Sequence, residues 1–254
     1  MVDNDEAPAA YTVLNLGCGD KVSGSPNVIN VDHSYNLMAK KYCFVRWAAM
    51  TFLRGQRLER VKRDVAGEFR YLYWNVKRGL PFEDSSVDAV YHSHLIEHLD
   101  RGEADMLLGE IYRVLKKGGV HRVAAPDLAY QCRKYLAHYD LAVVSPEEAP
   151  IHAKYIEELI GLLVDQGGGP SGKKGLAKIR SIMENWFAKS RGHRHKWMYD
   201  GVSAVVALGR YGYERVYIAN WNESEIAGWK QYALELDASG GEWRPDSFYV
   251  EAAK

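Results

Sequence analysis

Residues 87–128 carry the pattern that most restricts this chain. VDAVY (87–91) is a short apolar run of strand character. EADMLLGEIYRVLKK (103–117) follows, with Leu107, Leu108, Ile111, Val114 and Leu115 on one stripe at helical spacing. Lys116 and Lys117 suit the negative end of that helix, and Gly118-Gly119 can stop it. Val120 to Ala125 is a further strand, ending at Pro126-Asp127. A strand, a helix and a second strand make a crossover unit, which requires a parallel sheet with helices on its faces.

The rest of the chain extends the same pattern. Tyr11–Leu16 reads as a buried strand running into Gly17-Cys18-Gly19-Asp20. Val28–Val31 is a second strand, ending at Asp32, and Phe69–Trp74 a third, ending at Asn75. Tyr213–Ala219 and Ser247–Ala252 return to strand character near the end. The expected fold is α/β, Rossmann-like, with a mostly parallel sheet. Such sheets bind ligands where the carboxyl ends of the strands emerge. That singles out Gly17–Gly19, Asp32, Asn75, 92–95 and Asp127. Residues 128–196 interrupt the alternation with helical patterns (YIEELIGLLV, LAKIRSIMENWFA) around the loop GGGPSGKKG. They read as a helical insertion or lid on a single domain, 1–254.

Composition excludes several classes. Lys+Arg and Asp+Glu both number 33, so no overall charge favours nucleic acid. Cys18, Cys43 and Cys132 are widely spaced, with no C-x-x-C, which argues against a disulfide framework or thiolate zinc and fits a reducing cytoplasm. MVDNDEAPAA lacks an apolar core of signal-peptide type, and no long apolar run is present. Residues 40–70 hold nine Lys/Arg against three acids, interleaved with Phe44, Trp47, Phe52 and Leu53. A helix packed by its apolar side fits them best; a membrane-surface helix or a nucleic-acid patch are the alternatives.

Gly17 and Gly19 form a G-x-G turn without a third glycine, since position 22 is Val22. Asp32, at the next strand end, can accept both hydroxyls of a ribose. Together, VLNLGCGD (13–20), NVD (30–32), LPFEDSSVDAVYHSHLIEHL (80–99) and EIYRVLKKGGVHRVAAPDL (110–128) resemble class I S-adenosylmethionine-dependent methyltransferases, type 11-like. The closing RPDSFYVEAAK is similar to a bacterial subset found with polysaccharide or specialised-metabolite pathways. The resemblance implies seven strands with the last antiparallel, and S-adenosylmethionine as cofactor. It places the glycine turn on the methionyl and ribose part, Asp32 on the ribose and Asn75 on adenine, where the family commonly has Asp. Val76 and Ser93 complete the cofactor set. The connection between Gly19 and Asp32 is short, leaving little room for the usual first helix.

Methyl transfer from a sulfonium needs alignment more than activation, and no metal is expected. A hydroxyl acceptor gains from a base, for which histidine suits neutral pH. His94, at the end of the fourth strand, and His195, in RGHRHKWMYD, are the catalytic candidates. His98 and Glu97 read as bracing the E-H-L turn, and His193 is a further histidine of the same stretch. Lys189, Arg191, Arg194 and Lys196 would suit an anionic acceptor. O-methylation of a sugar or other small polar metabolite is the leading expectation, with N- or carboxylate methylation of a metabolite or peptide beside it. Two other classes compete: a zinc hydrolase built on His94-Leu-Ile-Glu-His98, which matches H-x-x-E-H, and a cofactor-binding protein without turnover. Tyr130-x-x-x-Lys134 resembles a dehydrogenase pair, but the glycine pattern those enzymes need is missing.

Overall fold

Seven strands form one sheet in the order β3-β2-β1-β4-β5-β7-β6 in a computed structural model that describes residues 7–163 and 195–254. The strands are β1 (Val13–Leu16), β2 (Val28–Asp32), β3 (Tyr71–Tyr73), β4 (Val87–Ser93), β5 (Leu115–Pro126), β6 (Arg215–Ile218) and β7 (Ser247–Ala253). β1 to β5 pair in parallel. β7 runs antiparallel to both β5 and β6. The topology is the expected one, closing strand included.

All four residues of β1 are buried, because helices or loops cover both faces of the sheet. Leu14 and Leu16 face a cluster with Val90 and with Leu107, Ile111 and Val114 of helix α4 (Arg101–Val114), while Val13 faces Tyr91, Trp229 and Tyr232. The two-residue period of a strand thus splits one apolar run between two cores. Asp100 caps α4 reciprocally with Glu103: its Oδ1 accepts from the Glu103 N–H at 2.8 Å, and Glu103 accepts from the Asp100 N–H at 3.0 Å.

The end of α4 departs from the sequence reading. The helix stops at Val114, and Lys116 and Lys117 already lie in β5. Leu115 pairs with Val87, Lys116 Nζ reaches Asp88 Oδ1 at 2.8 Å, and Gly118 donates to the Lys254 carbonyl. Gly118 takes φ +77°, and a Cβ on Gly119 would lie 2.9 Å from the Lys116 carbonyl oxygen. The glycine pair therefore turns the chain within the strand segment. Sheet pairing on both sides outweighs the helical stripe there.

β1 passes to β2 with no intervening helix, as the short spacing implied. Two buried asparagines brace the connection. Asn15 Nδ2 donates to the Lys21 carbonyl and to Asn30 Oδ1; Asn30 Oδ1 also accepts from the Ser23 N–H, and Asn30 Nδ2 donates to the Ser23 and Arg70 carbonyls. Residues 40–66 fall largely in three helices, α1 (Tyr35–Lys41), α2 (Cys43–Phe52) and α3 (Gly55–Ala66), and 67–70 lead into β3. Val45, Ala49, Leu53 and Val61 are buried against Tyr35 and Ala39, which is the packed arrangement, while Phe44 and Trp47 point outward. After β5, α5 (Leu128–Val144) and α6 (Ala149–Leu163) pack on one another. The loop GGGPSGKKG, the pattern LAKIRSIMENWFA, Lys189, Arg191, His193 and Arg194 lie outside the described residues. Among the described residues no helix is long and apolar enough to cross a membrane.

Candidate active site

A cavity of about 410 Å³ opens at the carboxyl ends of β1, β2 and β4. Gly17 and Gly19 turn the chain there with φ +63° and +49°, conformations that side chains resist. A Cβ on Gly17 would meet Leu95 Cδ1 at 2.8 Å, so only glycine lets the turn lie against the β4 end. The Gly17 N–H donates to the Val31 carbonyl at 2.8 Å, and the Gly19 N–H donates to Asp32 Oδ2 at 2.6 Å. The turn and the acid are therefore one hydrogen-bonded unit. Ser34 adds a buried hydroxyl with no hydrogen-bond partner to the same lining.

His94 sits at the mouth of β4 in a left-handed conformation, φ +49°. Its N–H donates to the Ala124 carbonyl and its Nε2 lies 2.9 Å from Ser247 Oγ, on β7. Burial, then the nearby Arg244, His195 and His98, lowers its pKa to about 3, so it is a neutral imidazole. Ile96–His98 form a single 3-10 turn. Within it the Glu97 side chain is almost wholly buried, and burial raises its pKa to about 8. The Glu97 carbonyl accepts from the Lys196 and Trp197 N–H groups at 2.6 and 3.3 Å, and the rings of His98 and His195 lie 4.9 Å apart. The backbone of the E-H-L turn thus anchors the returning chain and brings His195 to the cavity.

H-x-x-E-H does not act as a helical metal motif here. His94 belongs to the strand-to-turn corner and only His98 to the 3-10 turn, so the i, i+4 geometry is missing.

Gly17, Gly19, Asp32, Ser93, His94 and His195 all line the cavity. Asn75 and Val76 do not: Val76 packs into the core with Leu14, and Asn75 Oδ1 accepts from the Lys77 N–H at 3.1 Å. Lys196, expected to face an anion, is instead held by Glu103 at 3.2 Å. Lys134 reaches Glu158 at 3.5 Å, and neither it nor Tyr130 lines the cavity. Sequence reasoning missed Ser34, Lys21, Trp243 and Arg244. Lys21 Nζ donates to the Leu236 carbonyl and lies 4.7 Å from the Trp243 ring centroid, which closes the cavity with residues from the far end of the chain. Ser34 was accessible by its place two residues after Asp32; Trp243 and Arg244 carried no motif.

Residues 24–123 match the family model described as a methyltransferase domain. Among solved structures, a SAM-dependent methyltransferase from Archaeoglobus fulgidus is similar at 14% identity, with 97% of this chain and 87% of that one covered and a TM-score of 0.45. One from Thermotoga maritima gives 14% identity, 98% and 83% coverage, and a TM-score of 0.43. A phosphoethanolamine N-methyltransferase from Haemonchus contortus, in complex with phosphomonomethylethanolamine and S-adenosylhomocysteine, gives 14% identity and 0.43, and this chain spans 49% of it. No curated protein sequence matches. The family model thus places a methyltransferase domain at residues 24–123, on a seven-stranded sheet whose closing strand is antiparallel. Its cofactor is S-adenosylmethionine, and the glycine turn bonded to Asp32 with the orphaned Ser34 hydroxyl beside it fits that group.

Proposed function

We propose that the enzyme O-methylates a sugar or another small polar metabolite. One observation carries this reading: a single polar cavity joins the Gly17–Gly19–Asp32 unit to His94, His195 and Arg244. Its volume lies in the range of small-molecule sites. The cofactor supplies a methyl on an already activated sulfonium. Gly17 and Gly19 would bring the backbone close to its methionyl and ribose part, Asp32 would take the ribose hydroxyls, and Ser93 would complete the cofactor lining. The adenine contact of Asn75, and a cofactor role for Val76, are carried by the resemblance alone. His94 and His195 align the acceptor and take its proton, and Arg244 holds an anionic group on it.

Carboxylate methylation is the second reading, favoured by the weak basicity of His94. Burial holds its pKa near 3, and a carboxylate needs no proton removed. A mass-shift screen with labelled cofactor and panels of sugars, hydroxy acids and amines tests both. The expected product is methylated at oxygen. Arg244→Ala raises acceptor KM by roughly tenfold or more, the loss of one charged hydrogen bond. His94→Ala lowers kcat while S-adenosylhomocysteine affinity, read by calorimetry, is retained. Transfer to amines alone would sink the oxygen-acceptor reading.

A further inference from the structure

The buried carboxyl behind the cavity has no use in the mechanism above. Glu97 is 1% exposed, and neither of its side-chain oxygens has a hydrogen-bond partner. An unpartnered carboxyl in such a place is costly unless something binds it. Two imidazoles stand beside it. One ligand atom each from Glu97, His98 and His195 lie within 4.8 Å of one another, with His98 Nε2 at 3.9 Å from Glu97 Oε1. The backbone holding them is fixed, because the Lys196 N–H bonds to the Glu97 carbonyl at 2.6 Å.

We propose that Glu97, His98 and His195 form a three-ligand site for a divalent transition-metal ion, with zinc as its reference occupant. Two histidines and a carboxylate are a zinc set, with a position left open for an exogenous ligand. Ligand atoms about 2.0–2.1 Å from a tetrahedral ion stand roughly 3.4 Å apart. Side-chain rotation of about 1 Å therefore closes the observed cluster. Imidazole nitrogen selects zinc, iron, nickel or copper over magnesium. Arg244, whose charge acts on Glu97, opposes a second cation, so bonding to nitrogen rather than charge alone must hold the ion. His94 keeps its Nε2 on Ser247 and brings its Nδ1 to 3.6 Å from Glu97 Oε1, outside the three-ligand group, while Glu97 and His98 recruit His195 from 97 residues along the chain. His98 and His195 also line the cavity, so the open position faces the acceptor. An oxygen of the acceptor, hydroxyl or carboxylate, fits it. That use rests on the acceptor reading above, with His94 rather than His195 facing the acceptor's proton while His195 holds the ion; the metal site does not.

The test uses the full chain stripped with a chelator. Zinc is titrated against a chromophoric competitor, and cobalt is titrated with its visible absorption recorded. One equivalent is expected, with the intense cobalt bands of a low-coordinate site. His98→Ala, His195→Ala and Glu97→Gln each weaken binding by at least roughly tenfold, while His138→Ala on α5 leaves it unchanged. Should Glu97→Gln fail to fold, His195→Ala decides, since it lies outside that turn. Binding well below one equivalent, or binding untouched in both His98→Ala and His195→Ala, overturns the site. S-adenosylhomocysteine calorimetry runs in parallel. Its failure with zinc retained would count against the cofactor reading and leave the metal site standing.

Discussion

The residues that pin the glycine turn act through backbone geometry before they act through chemistry. Gly17 holds a left-handed φ and faces Leu95 so closely that a Cβ, 2.8 Å from Cδ1, would push that side chain aside. Gly17→Ala therefore carries two separable penalties. The left-handed backbone costs about 1–2 kcal/mol, and the overlap with Leu95 adds to it. Adding Leu95→Ala removes the overlap and leaves the backbone cost. In urea melts the double variant should lose less than the sum of the two singles, and S-adenosylhomocysteine affinity should fall in Gly17→Ala. Additive losses would show that Leu95 does not press on the turn. At this scale the sequence was most informative where a residue type is forced by the backbone, as at Gly17 and Gly19, or by place, as at Asp32. It was silent on Arg244 and Trp243, which reach the cavity from a segment of no distinctive pattern, and on the left-handed His94, a residue type that gives no warning of positive φ.

Between elements, the fold is tied by buried charge that no motif announced. Arg122 of β5 is wholly buried and pairs with Glu251, its register partner on β7, at 2.7 Å. It also pairs with Glu235 at 2.6 Å and donates to the carbonyls of Asn220, Trp221 and Glu223. One guanidinium thus fastens the segment that later delivers Trp243 and Arg244 to the cavity. Arg122→Met leaves two buried carboxyls and three carbonyls without it. A loss of about 3–5 kcal/mol is expected, as when one partner of a buried pair is removed. A loss under about 1 kcal/mol in urea melts would mean that the triad is not a fastening. The sequence misjudged elements for the same reason that it missed this one. The α4 stripe continues in helical register to Leu115, and only pairing with Val87 and Lys254, distant in sequence, ends the helix earlier. The absence of a helix between β1 and β2 was legible in the short connection, but the Asn15–Asn30 brace that takes its place was not. Parallel order, in contrast, followed from local alternation alone.

For the molecule as a whole, the acid limit of stability is set inside the sheet rather than at the surface. His92 of β4 and His121 of β5 are fully buried, with their Nε2 atoms 3.1 Å apart. His121 Nδ1 lies 3.0 Å from the Tyr213 hydroxyl, and among the described residues no carboxylate is bonded to either ring. Burial lowers the His92 pKa to about 3 and that of His121 well below its usual value, the latter also through His92. Both rings are therefore neutral in the folded protein at pH 7, as they are in the unfolded chain. As pH falls below about 6.5 the unfolded chain gains two protons that the folded sheet refuses. Their contribution to stability is whole above that value and is lost as pH falls towards 3. At full effect the two protons cost about 2.7 kcal/mol per pH unit. Between pH 6 and 5 His94 adds to this slope and the buried carboxyls Glu97 and Glu235, with raised pKa values, oppose it, so urea melts read the two rings by difference from a variant. Replacing both rings, His92→Phe with His121→Phe, removes the polar pair together and leaves only the Tyr213 hydroxyl short of a partner. The variant should lose the two-proton part of the slope and keep the rest. An unchanged slope would show that these rings accept protons in the folded sheet and that acid unfolds the enzyme elsewhere.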